Sequence, residues 1–337
     1  MASTSSVLVT GSSGHLGTAL MLALPDMGFT PVGIDIIPSP HTTVLGSIND
    51  RTLIRRLLTE NDIRFVVHTA TLHKPHVESH TRQDFVDTNI SGTLSILEEV
   101  RALGSQVEGV IFLSSTTTFG AALSPGPDKP AVWIDEQVIP IPKNIYGVTK
   151  VAAEDLCHLF HRQTGIPTLV LRTSRFFPEQ DDDEDRRNAM GDDNLKVVEL
   201  VYRRCDIEDI VRAVACAMRK AREVRWGKYI ISAPTPFKND AETLRILNSD
   251  SRGAFVAAVP GCDTMFAKRG WKFPQRVDRV YDSSKAVREL GWKPVYTFER
   301  ALQLLEEGKP FRSALTERVG KRGYHSTNTG VYTVRSV

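Results

Sequence analysis

The sequence predicts an α/β protein with a doubly wound parallel sheet and a smaller C-terminal lobe, on three observations. Short β-branched runs alternate with amphipathic helical stretches through the first two thirds of the chain, which is typical of a parallel sheet covered by helices on both faces. A glycine-rich turn joins the first predicted strand to the first predicted helix. The chain has 337 residues, which favours a large domain with a smaller one attached.

Six buried strands are expected in the sheet, each bounded by Gly, Pro or polar residues. They are Ser6–Thr10, Pro31–Asp35, Arg64–His68, Val110–Ser114, Thr168–Arg172 and Lys228–Ser232. Between the last two strands, apolar residues recur at helical spacing behind Asp206, which is a favourable N-cap residue. A helix is therefore expected to begin there and to pack on the sheet.

The domain boundaries follow from where this alternation breaks. Residues 1–174, completed by 207–233, are predicted to form the large domain, with 175–206 and 234–320 in the smaller, substrate-binding lobe and 321–337 as a polar tail. Within the lobe, Gln180 to Asp193 holds seven acidic residues and almost no apolar ones, which indicates either exposed surface or a solvated lid.

Composition excludes several classes of protein. The formal net charge of +2 produces no field strong enough to attract nucleic acid, and no apolar run approaches the roughly 20 residues that span a bilayer. The N-terminus lacks a leader pattern, so we expect a cytoplasmic protein without a membrane partner. The four cysteines lie far apart with no CxxC pair, which indicates reduced thiols and no metal site.

The first strand and helix carry a dinucleotide-binding pattern of the Rossmann type. Gly11, Gly14 and Gly17, with His15 and Leu16 between the last two, lie where backbone NH groups at a helix N-terminus can hold a pyrophosphate. Asp35 ends the second strand 21 residues after Gly14, where an acid binds the adenosine ribose. The next residues are Ile, Ile and Pro rather than an Arg that would receive a 2′-phosphate, so NAD is predicted over NADP.

A candidate catalytic group follows the fourth predicted strand. Tyr146 and Lys150 are four residues apart, which places both on one face of a helix. A cation near a phenol lowers the phenol pKa, so Lys150 is expected to activate Tyr146 as a base. Ser115 and Thr116 follow a strand at the carboxyl edge of the sheet, where a hydroxyl can bind the substrate oxygen.

These residues resemble the extended short-chain dehydrogenase/reductases, specifically the NAD-dependent epimerase/dehydratase group that includes UDP-glucose 4-epimerase. The resemblance extends from Val7 to Leu305 and includes the segments Val66–Ala70, Asn89–Thr93, Ser114–Gly120 and Asp282–Pro294. It implies that Ser115, Tyr146 and Lys150 are catalytic and that Ala70, Asn89, Tyr146 and Lys150 contact the cofactor. A small-molecule substrate and a homodimer are also expected.

The sequence departs from this family at the substrate side. Arg175 replaces an Asn that is usual in members acting on nucleotide-linked sugars, and fewer than thirty residues separate Pro178 from Asp206. Arg175 either binds a phosphate or carboxylate or pairs with the acidic segment. His73 lies in the predicted substrate-facing loop and is either a substrate contact or a solvated side chain. Thr116 and Thr117 stand where 4,6-dehydratases carry an acidic pair, which disfavours dehydration.

The predicted function is hydride transfer between NAD and a carbinol or carbonyl carbon of a sugar or polyol-like metabolite, by an epimerase or a dehydrogenase. The alternatives are a nucleotide-sugar 4-epimerase and a dinucleotide-sensing protein without chemistry. Intact Tyr146, Lys150 and Ser115 argue against the sensor, since a sensor needs no activated phenol. The shortened segment after Pro178 and the cation of Arg175 predict weak UDP binding and a smaller, negatively charged substrate. The smaller lobe offers another route to a nucleotide pocket, through Lys268, Arg276 or Arg279.

Overall fold

The computed structural model describes residues 5–123, 125–126, 129–178 and 188–320. The large domain among them is built around a seven-stranded sheet. The strands of this sheet are β1 Ser5–Thr10, β2 Phe29–Asp35, β3 Val44–Leu45, β4 Ile63–His68, β5 Gly109–Ser115, β7 Thr168–Thr173 and β10 Trp226–Ile231. All strand pairs in this sheet are parallel, and the strand order is β10-β7-β5-β4-β1-β2-β3.

The six predicted strands are all present, and the doubly wound α/β class is confirmed. The sequence analysis missed β3, the edge strand, because two residues provide no periodic signal. Four further short strands form two small parallel pairs outside the main sheet. These strands are β6 Val132–Ile134 with β11 Arg279–Tyr281, and β8 Arg175–Phe176 with β9 Arg204–Cys205.

Helices cover both faces of the sheet. The helices of the large domain are α1 His15–Ala23, α2 Arg51–Glu60, α3 Arg82–Phe85, α4 Gly92–Leu103, α5 Ile145–Thr164 and α7 Ile207–Val224. A π-helical turn over Val86–Ser91 connects α3 to α4. The remaining helices are α6 Asp192–Glu199, α8 Ala241–Ser249, α9 Ser251–Ala258, α10 Cys262–Arg269, α11 Ser284–Leu290, α12 Phe298–Glu306 and α13 Ala314–Val319.

The helix predicted behind Asp206 is α7, and its start follows from local chemistry. The Asp206 side chain accepts a hydrogen bond from the Glu208 NH, which satisfies a backbone donor that has no partner inside the helix. Apolar residues on the inner face of α7 pack with α1 against one face of the sheet, and α2, α4 and α5 cover the other face. Burial on both faces explains why the strands are almost uniformly apolar.

A second core lies in the smaller lobe, where aromatic rings dominate the packing. Phe255 contacts the rings of Phe237, Phe273 and Phe298 edge-on, at centroid distances of 5.4, 5.4 and 5.6 Å. This core takes Ala131 and residues between Phe177 and Phe311, but not residues from every segment assigned to the lobe. Helix α11, Trp292 and helix α13 lie within 234–320 yet pack against the large domain, because their apolar residues join the core under α1 and α7.

Two other expectations bear on the described residues. Cys157, Cys205 and Cys262 are buried and Cys216 is partly buried, and all four are free thiols. No helix in the described part of the chain is long and apolar enough to cross a bilayer. In the acidic segment, α6 begins at Asp192, while residues 179–187 lie outside the described ranges, as does the predicted tail from 321.

Candidate active site

A cleft of about 530 Å³ opens over the carboxyl ends of the main strands. It lies between β1 and β4, where the strand order reverses. From β1 the sheet continues to β2 on one side, and from β4 it continues to β5 on the other. Doubly wound sheets bind ligands at this position, because the loops after neighbouring strands separate there. The cleft is lined from the glycine-rich turn at one end to residues of β8 and β11 at the other.

The glycine-rich turn is shaped by close backbone contacts. Gly11 has a φ of +72°, and a Cβ there would lie 2.8 Å from the Ala70 nitrogen. A Cβ on Gly17 would lie 1.9 Å from the Gly11 oxygen, so neither position accepts a side chain. Gly14, His15 and Leu16 line the cleft at the start of α1, and the first turn of α1 carries no acidic residue. The N-terminus of α1 is therefore suited to an anion such as a pyrophosphate.

Asp35 lies at the end of β2 and faces the same cleft. Its carboxylate accepts backbone hydrogen bonds from the Ser13 NH and the Ile37 NH, both at 2.9 Å. Burial raises the pKa of Asp35, and these backbone donors oppose that shift because they stabilise the charged form. Asp35 is thus held in one orientation beside the glycine-rich turn. The sequence analysis did not identify Ser13 as the residue that orients it.

His68 connects the glycine-rich turn to the helix that follows β4. The Thr10 hydroxyl accepts from the Thr69 and Ala70 NH groups, so its own proton goes to His68 Nδ1 at 2.7 Å. The Thr93 hydroxyl donates to the Asn89 carbonyl and therefore accepts from His68 Nε2–H at 3.0 Å. The network defines one neutral tautomer, and burial followed by the Lys150 charge lowers the His68 pKa to about 3.

Tyr146 on α5 and Ser115 at the end of β5 both line this cleft, and α5 packs beside the turn that follows β5. Helix α5 begins at Ile145 because the Asn144 side chain accepts from the Gly147 NH, which places Tyr146 in the first turn. The Ser115 hydroxyl accepts from the Thr117 NH at 3.1 Å and lies 3.0 Å from the Thr117 hydroxyl. Thr116 also lines the cleft, so this turn presents hydroxyls rather than acids.

Lys150 lies beneath the cleft and is not among its lining residues. Its Nζ donates to the Leu113 carbonyl at 2.6 Å and lies 4.1 Å from the centre of the Phe112 ring. Burial lowers the pKa of Lys150 to about 8, and the nearby Glu154 opposes that shift. With a pKa of about 8, the ammonium is still mostly charged at neutral pH.

A buried ion-pair network holds α5 against the sheet. Glu154 accepts from the Ser114 hydroxyl at 2.6 Å and from the Arg172 guanidinium at 3.0 and 2.7 Å. Lys228 lies 3.0 Å from the same carboxylate. Both Glu154 and Arg172 are almost fully buried, which is tolerable only because each charge has partners. The network connects α5 to β5, β7 and β10, and it thereby supports the register of Tyr146.

Asn89, which the sequence analysis expects at the cofactor, is buried outside the cleft lining. Its amide oxygen accepts from the Leu72 NH and the Thr71 hydroxyl, and its nitrogen donates to the Leu72 carbonyl and the Thr149 hydroxyl. Asn89 therefore joins the loop after β4 to the catalytic helix. The π-helical turn around it makes this reach possible, since such a turn re-aims a side chain inside a helix.

The far end of the cleft is basic. Arg175 of β8, Arg203 in the turn before β9 and Arg279 of β11 line it. Arg203 pairs with Glu199 and Arg279 with Asp278. Arg175 was predicted at the substrate side, and Arg279 was a candidate for a nucleotide pocket. Arg203 was not predicted, because it lies in an irregular turn after α6. Lys268 and Arg276, the other candidates of that kind, are exposed and lie outside the lining.

The expected cofactor fits these residues. One wall of the cleft suits a dinucleotide. It is formed by Gly11 and Gly17, which accept no side chain, by the start of α1, which carries no acidic residue in its first turn, and by the oriented Asp35. Ala70 lines the same wall, while His73, Ser115, Thr116 and Arg175 line the rest of the cleft. Asp35 is the only carboxylate among the described lining residues.

Comparison with known proteins places this geometry in context. The model of the NAD-dependent epimerase/dehydratase family matches residues 7–231. A UDP-glucose 4-epimerase from Yersinia pestis is 30% identical over 166 residues, which cover 44% of this chain and 46% of that protein. The aligned region thus spans about half of that protein's length.

Two further relatives align over nearly the whole chain. A dTDP-glucose 4,6-dehydratase from Xanthomonas campestris pv. campestris (strain B100) is 24% identical over 342 residues, which cover 88% of this chain and 91% of that protein. The crystal structure of UDP-glucuronic acid 4-epimerase from Bacillus cereus in complex with NAD superposes with a TM-score of 0.60. It is 20% identical and covers 93% of this chain and 99% of its own, so it shows similarity of fold.

Proposed function

The chain belongs to the NAD-dependent epimerase/dehydratase family, and we propose that its cleft transfers hydride between NAD and a carbinol or carbonyl carbon of a sugar-like substrate that carries a negative charge. Membership makes the protein an NAD-dependent enzyme. One observation supports the specific proposal. The glycine-rich turn, Asp35, Ser115, Tyr146 and the three arginines all line a single cleft, so cofactor, reacting carbon and anion can be bound together.

In the proposed reaction, Tyr146 exchanges a proton with the substrate oxygen. Ser115 donates a hydrogen bond to the same oxygen, and NAD, when bound, supplies the site that accepts or returns the hydride. The buried Lys150 ammonium favours the phenolate form of Tyr146 from beneath, since a nearby cation lowers a phenol pKa. Asp35 and the glycine-rich turn bind the two ends of the cofactor's adenosine diphosphate.

The substrate class follows from the charge of the far end. Arg175, Arg203 and Arg279 provide fork-shaped donors that suit a phosphate or a carboxylate. Dehydration is disfavoured despite the dehydratase among the relatives, because the lining near Ser115 has Thr116 and Thr117 in place of acids. A small sugar acid or sugar phosphate remains our first candidate.

A nucleotide-linked sugar is the second candidate, and one observation favours it. Three arginines, Arg175, Arg203 and Arg279, line the cleft and supply enough donors for a diphosphate. The names of the relatives are consistent with this alternative. A sensor without chemistry is disfavoured. Burial of the Lys150 ammonium costs free energy of desolvation, and a protein that only senses a dinucleotide needs no such cation near a tyrosine that faces the cleft.

A substrate panel tests the proposal. The purified protein, NAD and one compound are mixed, and NADH absorbance and epimer formation are measured for UDP-glucose, UDP-glucuronic acid, dTDP-glucose, glucuronic acid and glucose 6-phosphate. We expect turnover with a non-nucleotide acid or phosphate and a strongly reduced rate with Tyr146→Phe. Calorimetric titration with UDP distinguishes the candidates. Micromolar UDP binding that is lost in Arg279→Ala and kept in the exposed control Arg276→Ala would establish the nucleotide-sugar candidate instead.

We also propose that two copies of the chain form a homodimer. Leu94 on α4 and Val148 and Leu159 on α5 are large apolar residues with 43, 49 and 49% of their surface exposed. The two helices are neighbours on one face of the sheet. A second copy would remove these side chains from water, and that burial favours association.

A further inference from the structure

A histidine lies beside the catalytic tyrosine. The rings of His73 and Tyr146 are 6.5 Å apart, centre to centre, and meet edge to face at 70°. Both side chains line the cleft. At this separation a small side-chain rotation or a single water molecule connects the imidazole to the phenol. The loop after β4 therefore brings an acid–base group to the reacting end of the cleft.

The position of His73 is set by a reciprocal cap in its own turn, to which both its backbone and its imidazole contribute. The His73 backbone NH donates to His76 Nδ1 at 3.0 Å, and the His76 NH donates to the His73 carbonyl at 2.9 Å. His76 is buried, and its ring lies 4.7 Å from that of His73. Asn89 anchors the preceding residue, Leu72, through two hydrogen bonds. Removal of the His73 side chain takes away its cap contact with the His76 NH but leaves the bonds of the His73 NH and carbonyl and the two bonds of Asn89.

The chemistry near Tyr146 leaves a role for such a group. When a substrate carbinol is oxidised, its C–H hydride goes to NAD and its O–H proton goes to the Tyr146 phenolate. An epimerase returns that proton to the same oxygen, whereas a net oxidation must release it to solvent. The described lining near Tyr146 has no carboxylate, and Lys150 lies beneath it with its Nζ on the Leu113 carbonyl.

We propose that the His73 imidazole exchanges the proton of Tyr146 with solvent, so that the enzyme completes a net oxidation or reduction. This inference rests on the proposed hydride transfer. In the oxidation, the Tyr146 O–H bond breaks as a His73 N–H bond forms, and the imidazolium then loses its proton to water. The products are the carbonyl compound, NADH and one released proton, and the reduction follows the reverse course.

Other groups in this part of the cleft titrate or carry charge, and the test must separate them from His73. Lys74, His76 and His80 belong to the same turn, Lys143 and Tyr146 lie at the start of α5, and Arg175 lies on β8. The His80 ring lies 5.1 Å from the His76 ring, and His80 does not line the cleft. His80→Ala is therefore the matched control within the turn, and His158→Ala, on the outer face of α5, is the control outside it.

The first experiment needs no substrate. Tyrosine labelled with ¹³C at the phenolic carbon is incorporated, the Tyr146 signal is assigned with Tyr146→Phe, and its chemical shift is followed against pH with NAD present. We expect a step in this signal that coincides with the titration of His73, disappears in His73→Ala and persists in both controls. A step that survives in His73→Ala would overturn the proposal.

The second experiment measures turnover on the compound that is most active in the panel. His73→Ala is expected to lower the rate of NADH formation by about 10²-fold or more, and added imidazole should restore part of it. Calorimetric NAD affinity should stay unchanged. Normal turnover of His73→Ala, or a loss that imidazole does not restore, rejects the exchange role. If the wild type turns over no compound, the hydride-transfer proposal fails, while the NMR result still decides whether His73 and Tyr146 share a proton.

Discussion

At the scale of single residues, the orientation of Asp35 explains the expected choice of cofactor. The Ser13 and Ile37 NH groups hold its carboxylate at the end of β2, beside the glycine-rich turn. A carboxylate held there accepts from ribose hydroxyls and repels a 2′-phosphate. We therefore expect Asp35 to favour NAD over NADP.

Replacing this side chain should remove both effects. In calorimetric titrations, we expect the wild type to prefer NAD, and Asp35→Ala to lose about 10-fold to 100-fold in NAD affinity, as for a hydrogen bond to a charged group. Affinity for NADP should rise or stay constant. Asp26→Ala, at an exposed turn before β2, serves as the control. Equal affinity of the wild type for both cofactors would contradict this role of Asp35.

Tyr146 and Lys150 should differ in what they contribute. Tyr146→Phe is expected to slow turnover by about 10²-fold to 10⁴-fold and to leave NAD affinity within about twofold, because the phenol faces substrate. Lys150→Met should also slow turnover, since the buried ammonium that favours the phenolate is gone. Steady-state rates and calorimetry check both variants, with the exposed Lys293→Met as control. Near-normal turnover by Tyr146→Phe would reject the mechanism.

At the scale of elements, α7 holds the C-terminal segments through two buried acids. Asp206 accepts from the Ser313 hydroxyl and NH and the Thr316 hydroxyl. Asp209 accepts from the Val295 and Tyr296 NH groups. Burial raises the pKa of Asp206, and it raises the pKa of Asp209 to about 7, against the backbone donors that stabilise the charge. The start of α7 thus couples the C-terminal segments to pH.

The sign of this dependence follows from proton linkage. A carboxyl whose pKa is higher in the folded than in the unfolded state binds its proton more tightly when the protein is folded. The protonated carboxyl therefore stabilises the fold fully below the unfolded pKa, and this stabilisation is lost as pH rises through the folded pKa. For Asp209 the window runs from 3.8 to about 7. The free energy of unfolding should decrease by at most about 4 kcal/mol across it.

Asp209→Asn should weaken this dependence, because an amide does not titrate. Thermal unfolding at pH 5 and pH 8 is expected to give a smaller difference in Tm for Asp209→Asn than for the wild type, with a remainder from Asp206. The control is Asp155→Asn, whose side chain is 71% exposed on α5. An unchanged difference in Asp209→Asn would mean that Asp209 stays ionised throughout this range.

At the scale of the whole molecule, the proposed homodimer makes a separate prediction. Sedimentation equilibrium should give the mass of two chains for the wild type, and Leu159→Glu should shift the population to monomer, because a charge would be buried at the interface. Ile139→Glu provides the control, since Ile139 is 78% exposed but lies in a loop before α5. A wild type that sediments as a monomer at micromolar concentration would exclude the dimer.

The large domain was predictable because its signals are local. β-Branched runs, the glycine spacing and the Asp206 cap each act within a few residues, and six strands and α7 appear where these patterns predict them. The Tyr146 and Lys150 spacing is local in the same sense. β3 and the four short strands outside the main sheet were missed because two or three residues carry no periodicity.

Sequence alone determined the sheet, the glycine-rich turn and the acid that follows it, and it proposed the candidate catalytic group, since each depends on neighbours along the chain. Only the tertiary structure decided what those residues face. It buries Lys150 under the Leu113 carbonyl, turns Asn89 away from the cleft, adds Arg203 and Arg279 to Arg175, and brings His73 against Tyr146. These contacts join segments up to about a hundred residues apart, and such pairings depend on how the layers pack, which no local pattern encodes.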